Sequence, residues 1–205
     1  MPFKKSKCLE QQFILIKDRA LRNFIIEYME QCAPDYFYVV PASSTGKYHP
    51  KYALGPGGLV RHTMAAVYFA ETLLSLEQNK SLSWLWHDEI ISALIIHDSF
   101  KQGLVNKKGQ RDGHTKFEHP LMAASALLLF AKEVHPEMQE EAKLIASLVA
   151  SHMGQWNRSE RSRTILPKPQ SDAEKFVHMC DYLASRQDIT VSVNYEPKTE
   201  EEQTE

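Results

Sequence analysis

An apolar run from Ile90 to Ile96 leads directly into His97 and Asp98, and this junction constrains the fold more than any other feature of the chain. A hydrophobic helix that ends in this pair puts an imidazole and a carboxylate at the edge of a core. Buried polar groups need hydrogen bonds, and buried charges need a counter-ion or a metal. The junction therefore predicts that partner side chains converge on the end of this helix.

Histidine and aspartate residues recur at helix-sized intervals on both sides of the junction. Each of these histidines lies at or within one turn of a predicted helix end, and the last aspartate faces the apolar side of its helix, where an unpaired carboxylate would be costly. Nitrogen and oxygen donors of this kind suit one or two divalent transition metals. The candidate ligands are His62, His97, Asp98, His119, His152 and Asp181.

A second His-Asp pair, at His87 and Asp88, shows that the dipeptide also occurs without such partners. It follows two tryptophans and opens the apolar run. We therefore interpret it as the N-terminal turn of a helix, where the helix dipole favours an aspartate.

Length and composition limit the classes of protein to consider. A chain of 205 residues is long enough for one domain with a sizeable core. The net charge of −2 argues against a broad polyanion-binding surface, although a local basic pocket is compatible with it. Three cysteines without a pairing motif indicate free thiols in a reducing compartment. Without a membrane-spanning stretch or a signal-peptide core, we expect a cytoplasmic protein that does not contact membranes.

Apolar residues at three- and four-residue steps predict helices through most of the chain. We expect a single all-α domain, with Ser171 as the N-cap of the last helix. The segment 189–194 has β character, so a small hairpin with residues 37–40 is an alternative. The expected helices cover residues 10–32, 59–76, 82–97, 117–134, 136–153 and 172–186.

We divide the chain into three parts. Residues 1–40 form an N-terminal helical segment, residues 41–188 form a helical bundle domain, and residues 189–205 form a C-terminal extension. The extension is acidic and lacks apolar anchors from Glu196 onwards, so we expect its end to be disordered.

The ligand order His, His-Asp, His, His, Asp resembles the HD-domain metal-dependent phosphohydrolase superfamily. Over roughly residues 41–186 the chain is most similar to the HD domain of YhaM-like 3′-to-5′ exoribonucleases. Phe100 and Met153 stand where that family has a glycine and a second histidine. The similarity is carried by Pro41-Ala42, His49, Gly57 to Thr63, His97 to Lys101, Glu118-His119-Pro120, Ser151 to Gly154, and a closing helix with Glu174, His178 and Asp181.

The resemblance implies an HD-domain helical bundle whose metal site lies where helix ends converge. One ion would be held by His62, His97, Asp98 and Asp181, and Asp98 would bridge to a second ion held by His119 and His152. The expected cofactor is a divalent transition metal, in two ions, drawn from Mn, Fe, Ni, Co or Zn. The ions would activate water and neutralise charge on a phosphoryl group. The catalytic residues are then Asp98 and Lys101, whose ammonium would contact the phosphate as a point charge.

Further candidates for substrate binding surround the ligand set. Two lie in the loop before the first ligand, one directly precedes His62, and three arginines form a basic loop that could clamp a phosphate. An aromatic residue lies close enough to His152 to stack a base. For each charged residue the alternative is a solvated surface position. The candidates are Lys47, His49, Arg61, Trp156, Arg158, Arg161 and Arg163.

These features lead us to expect a phosphohydrolase, specifically a phosphodiesterase that acts on a nucleotide or a short oligonucleotide. The partner would then be a phosphorylated small molecule or a short nucleic acid. A di-iron HD-fold oxygenase and a non-catalytic nucleotide-binding HD module are the alternatives. Lys101 and the basic loop favour a phosphate substrate over oxygen chemistry, and the complete ligand set argues against a module that has lost catalysis.

Overall fold

The computed structural model describes residues 5–43, 46, 49–106 and 113–197. Within them the protein is all-helical and contains no strand, which confirms the predicted fold class. The α-helices are α1 (Glu10–Leu15), α2 (Arg19–Gln31), α3 (Gly58–Leu74), α4 (Lys80–Ile96), α5 (His119–Val134), α6 (Gln139–Ser151) and α7 (Asp172–Ala184). Short 3-10 helices cover Lys5–Leu9, Asp35–Tyr38, Lys51–Ala53, Glu77–Asn79, Pro136–Met138 and Gly154–Trp156.

Helix α4 lies at the centre of the bundle. It packs against α3, α6 and α7 and also contacts α1 and α2, while α5 pairs with α6. Every residue from Ile90 to Ile96 is buried, because neighbouring helices surround this half of α4. The end of α4 therefore carries His97 and Asp98 into the middle of the protein, where both are fully buried.

The first forty residues contribute to the same core as the rest of the chain. Phe13, Phe24 and Met29 belong to the hydrophobic cluster that contains α4. The Tyr28 hydroxyl donates to the Ala123 carbonyl at 3.2 Å and so ties α2 to α5. The division of the chain near residues 40 and 188 stays a prediction, and packing joins the parts around one core.

One expectation near the amino terminus is wrong, and one alternative is not what the structure shows. The helix predicted over residues 10–32 is interrupted before Asp18, whose carboxylate accepts from the Leu21 amide at 2.8 Å and starts a new helix. Residues 37–40 are not a strand. Three consecutive aromatic side chains of the Asp35–Tyr38 segment are buried. A helical turn can direct all three into the core, whereas a strand would point successive side chains to opposite faces. The alternative hairpin is therefore absent from the described residues.

The N-cap of α7 is confirmed. The Ser171 hydroxyl accepts from the Glu174 amide at 3.2 Å, and the Glu174 carboxylate accepts from the Ser171 amide at 2.9 Å. This reciprocal capping box satisfies two amides that a helix start leaves without intrahelical partners. It sets the start of the helix that carries Asp181.

The second His-Asp pair does not form a helix N-terminus, because α4 already begins at Lys80. Instead, His87 bonds the Asp88 carboxylate through Nδ1 and the Glu71 carboxylate through Nε2, each at 2.7 Å. Asp88 also accepts from the Asp18 amide at 2.7 Å. The pair is a structural link between α3, α4 and the start of α2.

Two further expectations are tested only in part. Cys8, Cys32 and Cys180 are free thiols, as predicted. Among the described residues, no helix combines the length and the apolar character needed to cross a bilayer. The tail that we expect to be disordered lies outside the described residues from position 198 onwards.

Candidate metal centre

The six candidate ligands come together at one place, although they are distributed over more than half of the chain. His62 lies in the first turns of α3, His97 and Asp98 follow α4, and His119 is the first residue of α5. The remaining two are His152, directly after α6, and Asp181, near the end of α7. Asp181 is 17% exposed, and the other five are essentially buried. The predicted convergence of helix ends is what the structure shows.

His62, His97 and Asp181 form a first triad of donor atoms. His62 Nε2 lies 3.0 Å from Asp181 Oδ1 and 3.3 Å from His97 Nε2. His97 Nε2 lies 3.6 Å from the same Asp181 oxygen. Donor atoms this close to one another can share a single ion as ligands.

Asp98, His119 and His152 form a second triad. His119 Nε2 lies 2.9 Å from Asp98 Oδ1 and 3.2 Å from His152 Nε2. His152 Nε2 lies 3.7 Å from Asp98 Oδ1. Both histidines therefore point towards Asp98, as a second ion would require.

The Asp98 carboxylate faces both triads. Its Oδ1 belongs to the second triad, and its Oδ2 lies 3.6 Å from His62 Nε2 and 3.5 Å from His97 Nε2. Oδ1 is buried and has no hydrogen-bond partner of good geometry among the described residues. A fully buried carboxylate with an unsatisfied oxygen needs a compensating charge, and its position suits a bridge between two cations.

The Nδ1 atoms of the four histidines all face backbone carbonyls. A ring that donates through Nδ1 presents the lone pair of Nε2, and metal-ligating histidines are commonly oriented in this way. Here the Nε2 lone pairs converge on each other and on carboxylates, which is unfavourable without a cation between them. The contacts are His97 to Leu94 at 2.7 Å, His119 to Lys116 at 2.6 Å, His152 to Val149 at 2.7 Å and His62 to Ala184 at 3.4 Å.

The ionisation of the centre also matches a metal site. Burial opposes charge on Asp98, yet Lys101 and His97 hold the pKa of its carboxyl well below the usual range. His62 and His97 do the same for the pKa of Asp181 against the effect of burial. Burial, and then the neighbouring His97, lower the pKa of His152 to about 3. Ionised carboxylates and a neutral His152 are in the forms that bind metals, whereas the Asp98 and Asp181 carboxylates raise the pKa of His97 against the effect of its burial.

Lys101 reaches the centre from the turn that follows α4. Its Nζ lies 2.7 Å from Asp98 Oδ2, and its side chain is 13% exposed. The ammonium therefore contacts the carboxylate that faces both triads. Its predicted contact with a phosphate stays a prediction, and its position beside the ligands is consistent with one.

His49 lies at the edge of the first triad. Its ring packs against the His62 ring with centroids 5.7 Å apart, and its Nδ1 is buried without a partner among the described residues. Burial lowers the pKa of His49 to about 4, with further lowering by His62 and Lys101. The ring is therefore neutral near neutral pH. Lys47, predicted to bind substrate from the same loop, lies outside the described residues.

Arg61 has a different environment from the one that we predicted. Its guanidinium donates to four backbone carbonyls and so joins the loop before α3 to the C-terminal extension. These bonds occupy all of its side-chain nitrogens, because each one carries at least one of them. Arg61 therefore has a structural role, and its predicted substrate contact stays a prediction. The acceptors are the carbonyls of Tyr52, Leu54, Pro56 and Tyr195.

The basic loop after α6 lies beside the second triad. Asn157 and Leu166 close it through two hydrogen bonds of 3.0 Å, and the Ser162 hydroxyl donates to the carboxylate of Glu118, the neighbour of His119. The three arginines on this loop are exposed. The structure thus anchors the loop next to a ligand and leaves their contact with a phosphate as a prediction. They are Arg158, Arg161 and Arg163.

Trp156 is 43% exposed and stacks on the Tyr182 ring at 5.5 Å. It also packs edge-on against His178, whose Nδ1 bonds the His152 carbonyl at 2.7 Å. One side of the indole is thereby occupied by the protein. The structure places the exposed remainder beside the second triad, and base stacking there stays a prediction.

Sequence reasoning left the role of His178 unassigned. The structure shows that this residue supports the centre, because its ring holds the backbone of His152. The space for that ring comes from Gly154, which has φ +57° and whose missing Cβ would overlap the imidazole. Two signals were available in the sequence: a glycine shortly after His152, and a histidine one helical turn before Asp181.

No family model, curated protein or solved structure matches the chain.

Proposed function

We propose that the protein is a metal-dependent phosphohydrolase of the HD-domain superfamily, with phosphodiesterase activity on a nucleotide or a short oligonucleotide. One observation carries the proposal: the Asp98 carboxylate of the second triad also faces the histidines of the first triad, and a lysine ammonium contacts that same carboxylate. A catalyst for phosphoester hydrolysis needs cations around a phosphoryl group, and this arrangement provides sites for three of them.

The donor set fits divalent transition metals. Imidazole nitrogens suit Mn, Fe, Co, Ni and Zn, and carboxylates keep the site compatible with harder ions. His62, His97 and Asp181 would hold one ion, His119 and His152 would hold the other, and Asp98 would serve both. When bound, two such ions supply Lewis-acid activation of an attacking water and of the phosphoryl oxygens.

The chain itself positions and charges the site. Backbone carbonyls at the ends of α4 and α6 hold the imidazoles of His97 and His152 in their orientation. Burial excludes bulk water from the ligands, which strengthens electrostatic interactions with a bound anion. In this structure the Lys101 ammonium is the counter-ion of the Asp98 carboxylate. If metal ions at the triads took over that role, the ammonium would be available to bind a substrate oxygen.

The charges around the centre favour a phosphate substrate over oxygen chemistry. A di-iron oxygenase would use the same ligands, whereas the positive charge of Lys101 beside the Asp98 carboxylate suits an anionic phosphate substrate. The basic loop after α6, which is anchored beside His119, adds the positive charge of its three arginines near the second triad. A phosphorylated small molecule or a short nucleic acid is therefore the proposed partner, and the free thiols support a cytoplasmic location.

The proposal is tested by elemental analysis of the purified protein followed by anaerobic assay. Nucleotides, cyclic dinucleotides and short oligonucleotides are supplied with Mn²⁺, and release of the phosphomonoester or nucleoside product is measured. We expect turnover in the absence of oxygen. Turnover that depends on oxygen would favour the oxygenase, and metal binding without turnover of any phosphoester would favour the non-catalytic module.

A further inference from the structure

Among the described histidines, only His49 has a buried ring nitrogen without a hydrogen-bond partner. This atom is Nδ1, and the ring that carries it packs against His62 of the first triad. Buried polar atoms are normally paired, so an unpaired one beside a functional centre points to a missing partner.

We do not expect the missing partner to be one of the metal ions, because His49 belongs to neither triad. The four triad histidines also share a feature that His49 lacks, since each of them has its Nδ1 on a backbone carbonyl. The Nδ1 of His49 is therefore left for a group that the described part of the chain does not provide.

The charge of the centre indicates the chemistry of that group. Two divalent ions and the Lys101 ammonium would carry more positive charge than the carboxylates of Asp98 and Asp181 neutralise. A centre with this excess attracts an anion. An imidazole beside it can donate an N–H bond from Nδ1, and oxygen atoms of an anion are the natural acceptors.

We propose that His49 binds substrate, by donating a hydrogen bond from Nδ1 to a non-bridging oxygen of the phosphoryl group held at the first triad. This inference rests on the proposed function, because it assumes that the triads hold metal ions. His49 would then contact the part of the substrate that lies at the first triad. The basic loop, which is anchored beside the second triad, would lie at the other end of the substrate.

The test asks whether the Nδ1 atom of His49, and not its Nε2 atom, binds the phosphate. An asparagine at this site places its amide nitrogen near the position of Nδ1, whereas a glutamine reaches towards the position of Nε2. The variants are therefore His49→Asn, His49→Gln and His49→Ala. Each is loaded with Mn²⁺, its metal content is measured, and its affinity for inorganic phosphate is determined by titration calorimetry.

We expect the Ala and Gln variants to bind phosphate about 10- to 100-fold more weakly than the natural protein, as for loss of a hydrogen bond to a charged group. The Asn variant should stay within a few-fold of the natural protein, about 3-fold at most on the same scale. Metal content should be equal in all of them.

Four results would overturn the inference. One is an Asn variant as weak as the Ala variant, and another is a Gln variant as strong as the natural protein. The third is natural protein that holds its metal and binds no phosphate. The fourth is a variant that loses metal, since His49 would then serve the ions instead. Hydrolysis is measured in parallel, so failure of the proposed catalysis appears as phosphate binding without turnover.

Discussion

Replacement of Gly154 by alanine should damage the second triad without touching a ligand. Gly154 has φ +57°, and an alanine Cβ there would overlap the His178 ring. That ring cannot move freely, because it bonds the His152 carbonyl at 2.7 Å and packs against Trp156. The substitution must therefore shift His178, His152 or both.

Two effects contribute to the cost. The left-handed backbone conformation costs an alanine about 1–2 kcal/mol. Displacement of the His178 ring also breaks its bond to His152, which adds about 1–3 kcal/mol if the carbonyl is left buried and unpaired. Gly55 is a matched control, because it has φ +67° and an added Cβ would meet nothing within 4 Å. Gly55→Ala should show the first effect alone.

The assay is chemical denaturation of both variants, together with their metal content. We expect Gly154→Ala to lose about 1–3 kcal/mol more unfolding free energy than Gly55→Ala. Its metal content should also fall, since the backbone of His152 moves. Equal stability and full metal content in both variants would refute the argument that His178 supports the second triad.

Further predictions concern the ligands, the lysine and a surface histidine. Asp98→Ala should remove most bound metal, because Asp98 would serve both ions, and His152→Ala should remove about half, because His152 would hold one of them. Elemental analysis that finds the natural metal content in either variant would contradict the proposed role of that residue. Lys101→Ala should lower kcat and kcat/KM together by about 10²–10³-fold with unchanged metal content. Unchanged kinetics would show that Lys101 has no role in catalysis. Hydrogen bonds to Glu27 and a second carboxylate raise the pKa of His135 above its unfolded value. Its contribution to stability is then complete below the unfolded pKa and is lost as pH rises through the folded one. The stability difference between natural protein and His135→Gln should therefore shrink as pH rises, and a constant difference would disprove the ion pair.

Much of the fold follows from local patterns. Apolar spacing predicted the helices around the centre, and the serine and glutamate at the start of α7 predicted its cap. The break before Asp18 and the helical turn at Asp35–Tyr38 were not predicted. At the turn the outcome depended on which aromatic side chains the core could bury, and local propensity does not carry that information.

The roles of individual charged residues depended on tertiary structure. Arg61 directly precedes a ligand, and only the folded chain shows that its donors are used on backbone carbonyls. His87-Asp88 and His97-Asp98 are the same dipeptide, yet one links helices through carboxylates and the other faces the triads. Their difference comes from the helices packed around them.

The sequence by itself determined which donors the centre has and the order in which they occur, because an apolar helix that ends in His97-Asp98 requires partners and the chain supplies them at helix ends. Only the tertiary structure decided how the donors divide into two triads, that Asp98 faces both, and that the Nδ1 of His49 has no partner in the part of the chain that the structure describes. These facts depend on the relative positions of α3 to α7. Distances between helices arise from packing over the whole core, and no local pattern of residues encodes them.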